Sequence, residues 1–215
     1  MLCFIGTDAK LSNTLSRELV RELADKSFNR VTIDGDTSTN DACMLFASGQ
    51  SNAPVIDPMH PDFLQFKSAL SEVFIELAQA IVRDGEGATK FVTVEVKDAA
   101  TSEEALEVAY TISHSPLIKT ALFASDPNWG RILAALGRSK IESLDLEKVN
   151  LYLGDVCIVE AGGKCDSYTE EKGQAVMNLE EITISVHLNR GDITETVWTC
   201  DFSHDYVTIN AEYRT

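Results

Sequence analysis

The chain has 215 residues, 18 of them basic and 34 acidic, and its formal net charge of -16 disfavours nucleic acid and anionic membrane surfaces as partners. It contains no apolar run near the roughly 20 residues that a membrane helix needs, and no basic segment followed by a long apolar core opens the sequence. We therefore expect a soluble, untargeted, cytoplasmic protein that forms one large domain or two small ones.

The first fifty or so residues predict strands that alternate with a helix. The opening "MLCFIGT" is typical of a buried strand, and leucine at every fourth position from Leu11 to Leu23 then marks one apolar face of a helix. The segment "NRVTI", residues 29–33, predicts a second strand, and "ACMLFAS", residues 42–48, predicts a third.

The loop "TIDGDTSTND" between these last two strands is rich in aspartate and hydroxyl groups. Asp34, Asp36 and Ser38 stand at alternate positions, as the oxygen ligands of an EF-hand calcium loop do. That loop also requires a glycine and a glutamate, where this chain has Thr39 and Leu45. Because such side chains also form polar turns by bonding nearby backbone groups, we expect a turn here rather than a calcium site.

A long amphipathic helix is predicted from Pro61 to Arg83, where apolar residues keep helical spacing up to the turn "DGEG". The segment "TKFVTVEVKDA", residues 89–99, alternates in the manner of a half-buried strand. Thr101 caps the helix that follows, and Glu104 is placed to form a capping box with it.

The segment "DPNWGRILAALG", residues 126–137, predicts a proline turn followed by a helix. Asn128 serves as the helix cap and Gly137 as the stop signal. We interpret Trp129 and Arg131 as a packing wedge and a surface residue rather than as catalytic groups.

The last third of the chain predicts mainly strands. A short helix is expected near residues 169–178, and "EITISVHLN" and "TETVWTCDF" are predicted to form a hairpin through "RGD". The terminal "DYVTINAEYRT" alternates Tyr206 and Thr208 with Val207 and Ile209, which predicts a final strand. Together the elements indicate an α/β (α+β) fold, a layered sandwich of mainly antiparallel sheet with flanking helices.

Two short patterns resemble chemical motifs. "GEGATK", residues 85–90, lacks the GxxxxGK[ST] spacing of a phosphate loop, and its glycines suit a turn at the end of a helix. Glu86, held between those glycines, can nevertheless face a substrate ammonium. His204 and Asp205 are not expected to form a catalytic dyad, because adjacent residues of a strand face opposite sides.

The cysteines and histidines show no metal-ligand spacing. The sequence has five cysteines and four histidines but neither a CxxC pair nor an HExxH motif. We therefore predict free, buried thiols in a reducing compartment, no metal site and no cofactor. The cysteines are Cys3, Cys43, Cys157, Cys165 and Cys200.

Five segments, in this order and at this spacing, closely resemble the β chain of the ArgJ family: "MLCFIGTDA", "SFNRVTIDGDTSTND", "DGEGATK", "KTALFASDPNWGRILAALG" and "DYVTINAEYRT". The resemblance runs from Met1 to Thr215. Members of this family are glutamate N-acetyltransferases, also called ornithine acetyltransferases. The resemblance implies an ArgJ/DmpA-like, N-terminal-nucleophile-like sandwich, in which residues 1–215 form one structural unit completed by a separate α chain.

The resemblance also implies a precursor that cuts itself before a threonine, and an assembly of two α and two β chains. The new terminal threonine carries the acetyl group and would stand immediately before Met1, so no catalytic residue is expected within this chain. The implied substrates are N-acetylornithine and glutamate, and some members also accept acetyl-CoA, a donor that the sequence leaves open. The oxyanion donors are implied to lie on the α chain.

The family's substrate contacts fall on Glu86, Asn210 and Thr215. Glu86 would bind an amine of the substrate, while Asn210 and Thr215 would form hydrogen bonds with the amino-acid portion of the substrate. The acidic loop from Asp34 to Asp41 is then interpreted as scaffold near the active cleft.

Two other classes of protein fit parts of the sequence. A related self-cleaving aminopeptidase would share the fold and release the acyl group to water. A non-catalytic partner subunit would need no nucleophile. The acceptor of the acyl group, glutamate or water, and the sequence encoded upstream of Met1 distinguish these possibilities.

Overall fold

A computed structural model of the chain describes residues 1–212. Contacts divide the chain into two compact units, one of Met1–Val31 with Asp36–Ala80 and the other of Thr32–Gly35 with the residues from Ile81 onward. The prediction of one structural unit completed by an α chain stays a prediction.

The elements below are those of the described part of the chain. The strands are β1 (Leu2–Thr7), β2 (Val31–Thr32), β3 (Ala42–Ala47), β4 (Phe91–Ala99), β5 (Asn150–Leu153), β6 (Val156–Glu160), β7 (Gly163–Lys164), β8 (Glu181–His187) and β9 (Ile193–Cys200). The helices are α1 (Asn13–Asp25), α2 (Phe63–Arg83), α3 (Ser102–Ser113), α4 (Pro116–Phe123), α5 (Trp129–Gly137), α6 (Glu170–Met177) and α7 (His204–Glu212).

In the first unit, β1 and β3 form a parallel pair with α1 packed against it. Ser12 caps α1 by accepting a hydrogen bond from Leu15 N at 3.2 Å. The leucines that share one face of the helix are buried, as their spacing predicts: Leu15, Leu19 and Leu23. The strands predicted from "MLCFIGT" and "ACMLFAS" and the leucine-rich helix are therefore confirmed as β1, β3 and α1.

The strand predicted over residues 29–33 is shorter than expected. Phe28–Arg30 form a 3-10 helix, and β2 contains only Val31 and Thr32. Arg30 Nε donates to Asp25 O at 2.7 Å, and this bond holds the chain in a turn behind α1.

The second unit is built on a sheet with the strand order β2-β9-β4-β8-β5-β6-β7. β4 pairs in parallel with β8, whereas the β4–β9, β5–β8, β5–β6 and β6–β7 pairs are antiparallel. Val92, Val94 and Val96 of β4 are fully buried, and α3 packs against β4 and β9. The predicted sandwich of mainly antiparallel sheet with flanking helices is confirmed.

The predicted cap residues Thr101 and Asn128 cap their helices, whereas the Glu104 carboxylate, expected to complete a capping box with Thr101, bonds Arg190 instead. Thr101 Oγ1 accepts from Glu104 N at 3.2 Å at the start of α3, and Asn128 Oδ1 accepts from Arg131 N at 3.2 Å at the start of α5. The Glu104 carboxylate accepts a bond from Arg190 Nε at 2.7 Å, so it ties α3 to the turn between β8 and β9.

The predicted hairpin between β8 and β9 is wrong, because β4 lies between these strands and pairs with both. Arg190 N and Gly191 N of the "RGD" turn donate to Asp98 O at 2.7 and 3.0 Å. The turn therefore carries the chain across the end of β4. The residues of this turn are also typical of hairpin turns. They indicate a turn but do not determine which strands pair with each other.

The predicted final strand is also wrong, because His204–Glu212 form α7. Tyr206 N donates to Ser203 Oγ at 3.3 Å, and Thr208 Oγ1 donates to His204 O at 3.2 Å. These local bonds stabilise helical geometry over the strand that Tyr, Val, Thr and Ile favour. His204 and Asp205 remain unsuited to a direct pairing, because consecutive residues of a helix do not face each other.

Over residues 1–212, none of the helices combines the length and the apolar character needed to cross a membrane. In the same residues, no group of three or more His, Cys, Asp or Glu side chains is arranged to hold a metal ion. All five cysteines are free thiols; Cys3, Cys165 and Cys200 are buried, whereas Cys43 and Cys157 are partly buried.

Candidate active site

The Gly-Glu-Gly turn at residues 85–87 follows α2 and presents Glu86 to solvent. Gly85 N donates to Val82 O at 3.2 Å, and Ala88 N donates to Gly85 O at 2.9 Å, so the chain turns sharply. Gly87 has a φ of +66°, in the left-handed region that glycine adopts without strain. The turn thus ends the helix as predicted and exposes one carboxylate at its tip.

Asn210 lies beside that carboxylate although 124 positions separate the two residues. Its Nδ2 donates to Glu86 Oε2 at 2.7 Å and to Tyr206 O, one helical turn earlier in α7, at 3.0 Å. The structure therefore brings together two of the three predicted substrate contacts. The third, Thr215, lies outside the described residues.

Tyr206 positions α7 relative to the rest of the second unit. Its ring stacks on Phe202 with centroids 4.5 Å apart and an interplanar angle of 19°. Its hydroxyl donates to Asp34 Oδ2 at 3.0 Å. Asp34, the first carboxylate of the acidic loop, therefore supports the helix that carries Asn210.

Asp201 connects the Gly-Glu-Gly turn to the end of β9. Its carboxylate is 1% exposed and accepts from Thr89 N at 2.8 Å, Thr89 Oγ1 at 2.6 Å and Lys90 N at 2.9 Å. A buried carboxylate with three donors is well satisfied, so this clamp holds the residues after Glu86 in place. No motif in the sequence marks Asp201 as part of this site.

Lys119 is a buried lysine that contacts the end of β9. It is 1% exposed, its Nζ donates to Thr199 Oγ1 at 2.8 Å and to Cys200 O, and it lies 4.6 Å from the centroid of the Phe202 ring. Burial lowers the pKa of Lys119, while electrostatic interactions with the Cys200 sulfur and the Asp201 and Asp34 carboxylates act in the opposite direction. The position of Lys119 within the apolar stretch "PLIKTALF" is the sequence feature that indicates its burial.

Together these contacts position the exposed Glu86 carboxylate beside the Asn210 amide. Glu86 lies on the Gly-Glu-Gly turn, and Asn210 lies on a helix whose first turn packs against Gly87. A carboxylate next to an amide can bind the amine and the carboxylate of one amino acid. The Glu86 carboxylate can accept a hydrogen bond from an ammonium group, and the Asn210 amide can donate a hydrogen bond to a neighbouring group of the same ligand or accept one from it.

Comparisons with known proteins identify the family of the chain. The model of the ArgJ family matches residues 1–215. The chain belongs to the ArgJ family. The arginine biosynthesis bifunctional protein ArgJ of Pseudomonas fluorescens (strain Pf0-1) is 58% identical over 216 residues, and that of Psychrobacter arcticus is 54% identical over 215 residues.

A solved ArgJ structure shares the fold. The crystal structure of the arginine biosynthesis bifunctional protein ArgJ from Bacillus halodurans superposes with a TM-score of 0.94 at 40% identity, over 99% of this chain and 100% of that chain. The two curated relatives named above are longer proteins. This chain is covered over 100% of its length in both comparisons but spans only 53% of each ArgJ relative.

Proposed function

We propose that this chain is the β chain of a cytoplasmic ArgJ acetyltransferase that moves the acetyl group of N2-acetylornithine to glutamate in arginine biosynthesis. Membership of the ArgJ family and the name shared by its relatives, an arginine biosynthesis bifunctional protein, support this proposal. The observation that carries it furthest is the hydrogen bond of 2.7 Å between Asn210 Nδ2 and Glu86 Oε2.

In this bond the amide nitrogen of Asn210 takes a position on Glu86 that a substrate ammonium would take. An ammonium is the stronger partner, because a charge-assisted bond to a carboxylate is about twice as strong as a neutral one. Substrate binding would release the Asn210 amide from Glu86 and leave it to bond the amino-acid portion of the substrate. Thr215 is proposed to add a further hydrogen bond to that portion.

The nucleophile is proposed to be a threonine encoded immediately before Met1 and freed by self-cleavage of the precursor. A threonine hydroxyl is weakly nucleophilic unless a base removes its proton, and the freed α-amine of the same residue can be that base. The hydroxyl oxygen attacks the acetyl carbonyl, the tetrahedral intermediate collapses, and ornithine leaves with the proton on its α-nitrogen. The α-amine of glutamate then attacks the acetyl-threonine ester and regenerates the hydroxyl. Acetyl-CoA is a second acetyl donor that this scheme accommodates.

The partner is proposed to be the α chain of the same precursor, in an assembly of two α and two β chains. The comparisons support a division of the precursor: the chain covers 53% of the Pseudomonas fluorescens protein but 100% of the chain in the Bacillus halodurans crystal structure. The α chain would contribute the oxyanion donors that the tetrahedral intermediate requires.

Glu86→Gln in the processed two-chain enzyme tests the proposal. A charged hydrogen bond is worth about 1.5 to 3 kcal/mol, so we expect kcat/KM for acetylornithine to fall by roughly 10-fold to 150-fold, without a change in melting temperature. Glu76→Gln, on the exposed surface of α2, is the control and should leave the kinetics unchanged. Unchanged kinetics of Glu86→Gln with both acetylornithine and glutamate would remove Glu86 from the substrate site. In the unmodified enzyme, acetate in place of N-acetylglutamate would identify a hydrolase instead.

A further inference from the structure

The parallel pair β1–β3 has one uncovered face, named here the outer face. Paired residues of neighbouring strands point to the same side, so the register places Leu2, Phe4 and Gly6 of β1 on this face. Their partners on β3 are Ala42, Met44 and Phe46. Leu2 is 68% exposed, Phe4 62% and Phe46 55%.

The opposite face of the same pair is covered. Cys3 and Ile5, which alternate with the outer residues along β1, are buried at 8% and 6% exposure. The buried leucines of α1 lie on this side, and α1 packs against β3. The two faces of one short sheet therefore differ sharply in exposure, although both are apolar.

An uncovered face is unusual for this kind of sheet. Parallel sheets occur almost only with both faces covered, and two strands alone are at best marginally stable in water. The Phe4 and Phe46 rings lie 6.4 Å apart and nearly parallel, so they form one continuous apolar patch. A Cβ added at Gly6 would meet no atom within 4 Å, so the space above this position of the outer face is empty.

In the part of the chain that the structure describes, no further strand pairs with this sheet. Within residues 1–212, β1 and β3 form a sheet of their own in which each strand has the other as its hydrogen-bonded neighbour. The outer edge of each strand can therefore accept a further strand. An occupant that both extends the sheet and supplies an apolar layer would satisfy the backbone and the side chains together.

The size of the ArgJ relatives indicates the source of that occupant. This chain spans 53% of the Pseudomonas fluorescens and Psychrobacter arcticus proteins, so nearly half of each relative lies outside it. The outer face has no charged side chain among its six residues, which suits a permanent, apolar contact rather than a transient one.

We propose that the outer face of β1 and β3 is the docking surface for the α chain of the ArgJ precursor, which covers Phe4 and Phe46 with apolar side chains and extends the sheet. This inference rests on the two-chain assembly of the proposed function. It assigns to that assembly a particular surface of the β chain.

Photo-crosslinking of the full-length precursor tests the surface. A p-benzoylphenylalanine in place of Phe46 preserves the aromatic character of the face, so self-cleavage and assembly can proceed before the purified protein is irradiated. We expect a covalent product between this chain and the remaining part of the precursor, identified by the mass of the crosslinked peptides. A product that joins two copies of this chain, or the lack of any crosslink, overturns the proposal.

A matched pair of charge substitutions provides a second measurement. Phe46→Glu would place a charge in the outer face, and we expect association of the two chains to weaken by about tenfold or more, because buried aromatic residues dominate such interfaces. Leu179→Glu is the control, since Leu179 is also 55% exposed but belongs to the second unit. Equal weakening by both variants, or an unchanged dissociation constant for Phe46→Glu, overturns the proposal.

Acetyl transfer by the unmodified assembly separates this inference from the proposed function. If the crosslink to the remaining part forms but no N-acetylglutamate is produced, the docking surface stands and the proposed reaction fails. If N-acetylglutamate is produced but Phe46 crosslinks elsewhere, the reaction stands and the docking surface fails.

Discussion

At the scale of the residue, Gly87 joins the turn that carries Glu86 to the helix that carries Asn210. A Cβ at this position would lie 2.6 Å from Tyr206 N and 2.7 Å from Ser203 Oγ, and the φ of +66° is itself unfavourable for alanine. We expect Gly87→Ala to cost about 1 to 3 kcal/mol of unfolding free energy and to raise KM, because α7 must move away from Glu86. Thermal melting and steady-state kinetics of the assembled enzyme measure both effects. Gly137→Ala is the control, since its Cβ would meet nothing within 4 Å, and a wild-type melting temperature for Gly87→Ala would contradict the prediction.

At the scale of the element, α7 is held by few contacts, since none of its residues from His204 to Glu212 is buried. Tyr206 supplies a stacked ring on Phe202 and a hydrogen bond to Asp34, each worth about 0.5 to 1.5 kcal/mol. We expect Tyr206→Ala to speed amide hydrogen exchange in α7 by about tenfold or more while β9 keeps its protection, because only the docking of the helix is lost. The exposed Val207→Ala is the control, and equal exchange rates in α7 for the two variants would show that Tyr206 does not hold the helix.

At the scale of the whole molecule, activity is expected to need more than the 215 residues of this chain. In the proposed reaction the acyl carrier precedes Met1 and the oxyanion donors belong to the α chain, so neither function falls to a residue of this chain. We expect the purified chain to form no N-acetylglutamate from acetylornithine and glutamate, and the self-cleaved precursor to form it. Addition of a separately produced α chain should not restore activity unless threonine precedes Met1. Mass spectrometric detection of N-acetylglutamate made by the chain alone would refute this dependence.

Local sequence predicted most helices and strands because their signals are local. The Ser12, Thr101 and Asn128 caps each satisfy a backbone N–H within three residues, and such bonds form wherever the chain begins a helix. The period of leucines in α1 likewise requires only that one face be buried. The errors arose where two signals competed or where the answer depended on distant partners.

The carboxyl end shows competing signals. Tyr206, Val207, Thr208 and Ile209 alternate as a strand would, and their residue types favour strands, yet the segment is helical. Ser203 caps the start of the helix, and Tyr206 contacts the nearby Phe202 and also Asp34, which is 172 positions away in the sequence. The alternation over these four residues favours a strand less than the Ser203 cap and the contacts of Tyr206 favour a helix.

The sequence by itself determined the family, the mixed α/β class, the capped starts of α3 and α5 and the Gly-Glu-Gly turn, because these depend on motifs and on residues a few positions apart. Only the tertiary structure decided that β4 separates β8 from β9, that Asn210 bonds Glu86, and that Asp201 and Lys119 support the junction between them. The physical reason is the same in each case. The packing of the whole unit determines the order of strands in the sheet and the pairing of side chains from distant segments. No short stretch of sequence contains that information.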